Sequence, residues 1–389
     1  MSTEWWTRAV EARGIRFVGH HGLAGFGDGN QLLRQGDHLY VGHMRRTGTS
    51  VLDVSDPERP ELVWQQPAPA NTHSHKVQIG DGLLIVNHEQ LPEDHGPGTG
   101  ARGAHSAGIQ IYDIATNPAE PRPVGFMGIG GKGVHRLWYT GGPYAYLSGQ
   151  AEGFRERMLT VADLSEPSAP RALGRWWVPG LWAAGGEEPT WPEGTAFGMH
   201  HATVHGSRAY AGLLDAGIGI IDISDPSSLR LVSRLTWEGD WGGFAHTVLC
   251  LPERRLLAVT QEQTEPDCTG PARYVRLVDA SDEEHLQPLG ILPEPQGDYC
   301  TRGGRFGPHN LHENPLGVVR EDRLYVTYFN AGLRVYDIED ASNPREVAWY
   351  VPEPPPGQGA CQINDVFVDD TFIYITDRIN GGVWVLQEG

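Results

Sequence analysis

Five histidines recur at matching places along this chain, each beside a short apolar run. They are His75, His135, His201, His246 and His309. In the first and last of the repeats described below, Asn30 and Asn364 take the equivalent places. Neutral imidazole is the commonest protein ligand for transition metals. The pattern therefore predicts one metal ion on a shared axis, bound by four of the five histidines.

The ligand type narrows the identity of the ion. Imidazole ligands suit iron, zinc, copper or manganese, and among these we favour Fe(II). Five converging imidazoles without an ion would be costly if charged and hard to satisfy if neutral. A repeated histidine that hydrogen-bonds a loop, inherited when the repeat was duplicated, is the competing structural interpretation.

A second set of polar residues lies where the neighbouring strands end. Glu89, Asp215 and Glu262 are predicted as outer partners that accept the second ring N–H of metal-bound imidazoles. The side that carries Asn30 and Asn364 is expected to be open to substrate. The residues predicted to face substrate or to act in catalysis are His43, Arg45, His88, Tyr328, Asp377 and Arg378.

The elements that would position these residues form a repeat. An apolar run ending in Asp and followed by a Ser/Asp/Pro turn returns at intervals of about 55 residues, which is typical of propeller blades. It occurs at Val51–Pro57, Ile111–Pro118, Val161–Pro167, Ile221–Pro226, Val278–Asp282 and Val335–Ile338. We therefore predict an all-β fold, a single seven-bladed β-propeller domain over residues 1–389.

The last repeat lacks its fourth strand at the C-terminus. Ile15–Gly19 resembles the fourth strands of the other repeats, so we predict that this N-terminal strand completes the last blade. Such closure removes a sheet edge that would otherwise pair with other chains. The long loops fall at the end of the blades where the histidines lie, which is where binding groups usually sit.

Composition excludes some classes of function. The formal net charge is −19, and no basic run occurs, so nucleic acid and anionic membranes are not expected partners. A small-molecule substrate is expected, and the oligomeric state stays open. The sequence contains no apolar segment of membrane-spanning length and no secretory signal pattern, so we expect a cytoplasmic protein. The four cysteines form no CxxC pair, and one disulfide among them stays open.

The strand Gly332–Ile338, with the Asn343–Pro344 pair after it, resembles the LVIVD-repeat propeller family. Tyr328–Asp337 is more distantly similar to selenium-binding proteins, some of which are metal-dependent thiol oxidases. Their reactive cysteine motif is not evident here, so that activity is not carried over. One histidine per blade also resembles carotenoid-cleaving dioxygenases, whose four histidines hold Fe(II); this resemblance concerns architecture alone.

Three hypotheses for function follow. The first is a mononuclear metal enzyme, an oxidoreductase of the non-haem oxygenase kind. The second is a metal-assisted lyase or hydrolase acting on a small neutral substrate, with Tyr328 or His88 as base. The third is a binding scaffold without chemistry. Oxygen dependence separates the first two, and bound metal separates both from the third.

Overall fold

The computed structural model describes residues 4–45, 48–92, 103–237 and 243–389, which form an all-β structure. Helical structure in these residues is confined to three short 3-10 helices, Trp5–Thr7, Leu23–Gly25 and Ala183–Gly185. Within the same residues no helix is long and apolar enough to cross a membrane.

The strands are named in chain order. The first fifteen are β1 (Ala9–Arg13), β2 (Ile15–His21), β3 (Gly29–Gln35), β4 (His38–His43), β5 (Thr49–Asp53), β6 (Glu61–Gln66), β7 (Thr72–His73), β8 (Val77–Gly80), β9 (Leu83–Gln90), β10 (Gly108–Asp113), β11 (Arg122–Gly128), β12 (Gly133–Trp138), β13 (Tyr144–Gln150), β14 (Met158–Asp163) and β15 (Arg171–Trp176). The others are β16 (Phe197–His205), β17 (Arg208–Leu214), β18 (Ile218–Asp222), β19 (Arg230–Leu235), β20 (Ala245–Leu251), β21 (Leu256–Gln261), β22 (Val275–Asp279), β23 (Gln287–Ile291), β24 (Arg323–Thr327), β25 (Leu333–Asp337), β26 (Arg345–Pro352), β27 (Ile363–Val368), β28 (Ile373–Asp377) and β29 (Gly382–Glu388).

Neighbouring strands pair antiparallel in every sheet of the described residues. Three sheets have four strands each, in the orders β3-β4-β5-β6, β1-β26-β25-β24 and β2-β29-β28-β27. Two larger sheets contain β7 to β15 and β16 to β23. The N-terminal strand β2 pairs with the C-terminal strand β29 from Ile15 opposite Glu388 to His21 opposite Val383. The two ends of the chain therefore share one sheet.

The repeated aspartate has a structural role. Its carboxylate accepts a hydrogen bond from the backbone N–H two residues later, as in Ser55 to Asp53 at 2.8 Å and Ser224 to Asp222 at 2.9 Å. Equivalent bonds follow Asp113, Asp163, Asp279 and Asp337. Aspartate stabilises a turn in this way, and the sequence repeat marks the turn that ends each of these strands.

A glycine in several outer strands packs against the turn of the next sheet unit. A Cβ atom at Gly19 would collide with the backbone carbonyl oxygen of Pro57. The same contact joins Gly125 to Pro167 and Gly174 to Pro226. Glycine is required there because neighbouring units approach closely at the backbone, and Gly19 of β2 repeats a contact made by β11 and β15.

The question of a disulfide, left open by the sequence, is answered by a Cys268–Cys300 bond. Cys268 lies between β21 and β22, and Cys300 lies between β23 and β24. The bond therefore joins two loops that also carry Glu262 and Arg305, both of which line the cavity described next. Disulfides persist mainly in oxidising compartments, so this bond does not favour the cytoplasmic location that we predicted.

Candidate metal centre

Six imidazoles stand in an unbroken row around one cavity of about 550 Å³. The ring centroids of successive histidines lie 4.0 Å (His73–His75), 5.0 Å (His75–His135), 4.9 Å (His135–His200), 3.7 Å (His200–His246) and 4.5 Å (His246–His309) apart. They come from β7, the residues just before β8, β12, β16, β20 and the segment before β24. Four of the five histidines predicted as ligands therefore line one cavity.

The fifth predicted ligand, His201, lies elsewhere. Its Nε2 atom is 3.0 Å from an Oε1 atom of Glu313, and it lies outside the cavity lining, where His200 takes its place. Successive side chains of a strand point to opposite faces, so these two neighbours on β16 cannot both face the cavity. We predicted His201 for the cavity, and the structure places its neighbour His200 there instead.

His73 was missed at the sequence level. Its Nε2 atom lies 2.8 Å from Oε2 of Glu89, and its ring stacks on that of His75. The available signal was the spacing of two residues between His73 and His75, because alternate residues of an extended segment share a face.

Backbone and carboxylate acceptors fix the proton of two imidazoles on Nδ1. Nδ1 of His135 donates to Glu89 at 2.8 Å, and Nδ1 of His309 donates to the carbonyl of Asn364 at 2.8 Å. These two tautomers are assigned from the partners, and each leaves an Nε2 lone pair for a further ligand. His73 differs, because its Nε2 donates to Glu89 and keeps no lone pair. Glu89 thus has the orienting contact predicted for it.

Glu262 stands between two imidazoles. One of its oxygens lies 3.6 Å from Nε2 of His246, and the other lies 3.7 Å from Nε2 of His309. The guanidinium of Arg305 lies 2.9 Å from the same carboxylate. Among the described residues, two groups have ligand atoms that all lie within 4.8 Å of one another: His200, His246 and Glu262; and His73, His75 and Glu89.

Burial keeps the imidazoles neutral. It lowers the pKa of His135 to about 4 and the pKa of His200, His246 and His309 well below 6.5. Burial alone would raise the pKa of Glu89, but the hydrogen bonds from His135 and His73 lower it well below 4.5. The cavity therefore combines neutral imidazole with ionised carboxylate, the protonation states that metal binding requires.

A buried ionic cluster adjoins the histidines. Arg136 contacts Glu313 at 2.8 Å and Asn310 at 2.7 Å. Lys76, which lines the cavity, donates to Oδ1 of Asn30. Burial, reinforced by the charge of Arg136, lowers the pKa of Lys76 to about 7. Asn30 therefore faces the cavity as predicted. Lys76, which is bound to Asn30, brings an amine into the cavity that the sequence pattern did not indicate.

Several of the predicted catalytic residues lie away from this cavity. His88 bonds to Ser106 at 2.8 Å and lines a separate pocket, and the Tyr328 ring packs beside Phe306 and Tyr336. Arg45 is exposed, with its backbone N–H bonded to Asp28. All three side chains lie outside the cavity lining.

The remaining predicted residues divide between loop support and the cavity. Asp377 accepts backbone N–H groups of Gln362 and Ile379, and Asp215 accepts those of Ala196 and Phe244. Both carboxylates therefore accept hydrogen bonds from backbone N–H groups and support loops. His43 is likewise enclosed, between Asp28 and Ser50. Arg378 does line the cavity, with Nη1 4.0 Å from Glu262.

The chain carries LVIVD repeats, at residues 202–236 and 318–351. No curated protein matches the sequence. Its fold is similar to that of U3-55K, with a TM-score of 0.61, 10% identity and coverage of 96% of this chain and 98% of the other. It is also similar to a protein from Lactobacillus plantarum (TM-score 0.56, 12% identity, 90% and 87% covered) and to the Cps50 (Swd1) beta-propeller domain of Myceliophteria thermophila (0.54, 11%, 92% and 99%). The protein is a β-propeller with His and Glu groups near its axis.

Proposed function

We propose that this β-propeller is a metal-dependent oxidoreductase with one metal ion, Fe(II) by preference, held by His200, His246 and Glu262. The observation that carries the proposal is the close approach of the ligand atoms of these three buried residues. Two histidines and one carboxylate, with other positions open, are the donor set of non-haem Fe(II) oxygenases. When bound, such an ion supplies redox chemistry that the side chains lack.

The protein groups fit a cation. Nδ1 of His200 is buried and has no hydrogen-bond partner among the described residues, while its Nε2 lies 3.1 Å from Nε2 of His135. If His200 donates from Nε2 to His135, its Nδ1 lone pair is buried and unsatisfied, a costly arrangement that a bound cation would relieve. Glu262 contributes the negative charge.

The second group, His73, His75 and Glu89, is the weaker ligand set. Nδ1 of His75 lies 3.2 Å from Nδ2 of Asn87, an amide nitrogen that can only donate. Nδ1 of His75 must therefore accept, and the ring proton of His75 is on Nε2, which leaves no lone pair on Nε2 to bind a metal ion. Glu89 already accepts from His73 and His135. We therefore assign Glu89 to the support of His135, as an acceptor that orients a ligand or substrate-facing imidazole.

The other side chains have supporting tasks in this proposal. His309 is oriented by the Asn364 carbonyl and presents Nε2 towards Glu262, where it can accept a proton from substrate or contribute a further ligand. Arg305 holds the Glu262 carboxylate in place. The cavity volume of about 550 Å³ suits a small organic substrate.

A lyase or hydrolase is the second candidate, favoured by Lys76. Its amine lines the cavity, and a pKa of about 7 would let it act as a general base near neutral pH. In this version Lys76 replaces Tyr328 and His88 as the base. A reaction that proceeds equally well without oxygen would select this candidate over the oxidoreductase.

Elemental analysis of protein purified without added metal tests the metal centre. We expect about one transition-metal ion per chain, and a loss of most of it in His200→Ala, His246→Ala and Glu262→Gln. His285→Ala is the matched control, because His285 is an exposed residue paired with Asp282. Equal metal content in all four variants, or no metal in the parent after growth in iron, manganese, zinc and copper, would leave the binding scaffold as the better interpretation.

The proposal includes seven blades, with β2 as the outer strand of the blade that contains β27, β28 and β29. It is supported by the pairing of β2 with β29 and by the Gly19–Pro57 contact, which repeats the contacts of Gly125 and Gly174 in other outer strands. Closure by this strand would keep the His309 and Asn364 side of the cavity next to Asn30.

A further inference from the structure

The cavity has a charge opposite to that of the protein. The whole chain has a formal net charge of −19. Apart from Lys76, the cavity lining nevertheless contains four basic residues, Lys132, Arg157, Arg305 and Arg378, against three acidic ones, Glu89, Glu156 and Glu262. A positively charged cleft attracts anionic ligands and raises their local concentration, even when the protein as a whole is negatively charged. The excess of positive charge therefore points to an anionic ligand.

The carboxylates of the lining are already engaged. Glu89 accepts from His73 and His135, and Glu156 pairs with Arg157 at 3.0 Å. Glu262 has Arg305 at 2.9 Å and Arg378 at 4.0 Å. One carboxylate thus faces two guanidiniums, and in the proposed function it also serves a metal ion. The charge of the arginine pair exceeds what this carboxylate balances.

Phe329 fixes the two arginines relative to the histidines. The guanidinium carbons of Arg305 and Arg378 lie 5.6 Å and 5.7 Å from the centroid of its ring. The imidazole of His309 stacks on the same ring at 4.8 Å. Phe329 is fully buried and has a φ of 44°, a left-handed backbone conformation that is uncommon for an aromatic residue. Such strained residues cluster at binding sites, where they hold a side chain in place.

We propose that Arg305 and Arg378 bind the carboxylate of a small organic acid, which is the substrate class of this cavity. The planar guanidinium matches a carboxylate with two parallel N–H donors. The side chains of Arg305 and Arg378 are 30% and 12% exposed, so both are accessible from the cavity while partly shielded from water. Bound there, the acid places its remaining atoms beside His309 and Glu262. The proposal rests on the proposed function for its chemistry, but not for carboxylate binding.

The test is calorimetric titration of succinate, with succinamide as the neutral analogue and inorganic phosphate as the competing anion. We expect succinate to bind the parent, and succinamide not to bind. Arg305→Gln and Arg378→Gln should each weaken succinate binding about tenfold or more, since each removes a charge-assisted contact. Arg59→Gln, the same change at an exposed residue outside the cavity, should change it less than about twofold.

Arg305→Lys and Arg378→Lys are controls for misfolding of the glutamine variants. They keep the positive charge and lose only the two parallel N–H donors. Intermediate weakening in these variants supports the arginine site. Unchanged binding in both glutamine variants, or tighter binding of phosphate than of succinate, would overturn it. The parent is also titrated after metal removal with a chelator. Binding that survives supports the arginine site even if the metal proposal fails, whereas binding lost only with the metal places the acid on the ion and overturns the site.

Discussion

Single residues behind the histidines decide whether those histidines can act as ligands. Glu89 is the clearest case, because its Oε2 atom accepts from both His135 and His73, each at 2.8 Å. Its ionised carboxylate holds the proton of His135 on Nδ1 and leaves Nε2 directed towards His200. Contacts of this kind orient ligand rings and raise their basicity.

Glu89→Gln should therefore weaken metal binding without removing any of the three proposed ligands. Both imidazoles contact the same carboxylate oxygen, Oε2, and a neutral amide oxygen accepts hydrogen bonds more weakly than a carboxylate oxygen, so His135 is held less firmly. Because Glu89 acts on the ligand His200 only through His135, we expect a loss of affinity of about tenfold, the lower end of the effect of direct partners. Competition against a coloured chelator measures it, with Glu120→Gln, the same change at an exposed residue, as the control. Equal affinity in the two variants would mean that Glu89 has no part in the site.

Among the larger elements, β2 is the strand on which the closed ring would depend. Its Gly19 lies against the turn at Pro57, as Gly125 and Gly174 lie against the turns at Pro167 and Pro226. The same residue type at the same kind of contact suggests that β2 is held between its neighbours like other outer strands. Only glycine avoids a backbone clash at such an approach.

Gly19→Ala tests this contact directly. The added methyl group collides with a backbone carbonyl, so the strand must shift, and we expect a loss of about 1–3 kcal/mol in the free energy of unfolding. Gly22→Ala is the matched control, because nothing lies within 4 Å of the Cβ position there. Urea titrations compare the two. If Gly19→Ala were as stable as Gly22→Ala, β2 would not be packed between neighbouring units.

The whole molecule contains many histidines whose charged form folding disfavours. Burial lowers the pKa of one group of them to about 4 and of another well below 6.5. The first group is His20, His88, His135, His201 and His312, and the second is His200, His246 and His309. As the pH falls below about 6.5, these histidines become protonated in the unfolded chain but stay neutral in the folded protein. The stability from this source is complete above that pH and is lost as the pH falls towards about 4.

We therefore expect the free energy of unfolding of the metal-free protein to fall steeply from pH 7 to pH 5. Near pH 5 these histidines alone correspond to about seven protons bound on unfolding. Asp365, whose pKa burial raises to about 7, opposes this by about one proton. Urea titrations across the range give the slope. His312→Asn, which keeps an acceptor for the Val368 N–H, should reduce the slope by about one proton. A flat profile would contradict the prediction.

The local sequence determined the repeat and the kind of chemistry. The apolar run with its turn-forming Asp marks strands because a turn uses only neighbouring residues, and the turns at Asp53 and Asp222 follow that rule. The spacing of His75, His135, His246 and His309 within the repeats predicted a shared cavity. The assignment of Glu89 and Glu262 to that cavity followed from the strand that precedes each of them.

Only the tertiary structure decided which side chains face the cavity. His200 rather than His201 enters it because a strand alternates its faces, and the pairing of β16 shifts register between Phe197 and His201. Asp215 and Asp377 looked available, yet distant backbone N–H groups use their carboxylates. Arg378 was predicted to face substrate, but Lys76, Arg305 and the contact of both arginines with Phe329 gave no local signal, because they depend on segments far apart in the chain. A sequence specifies residue types and periods, while contacts between remote segments set the direction, burial and charge balance of each group.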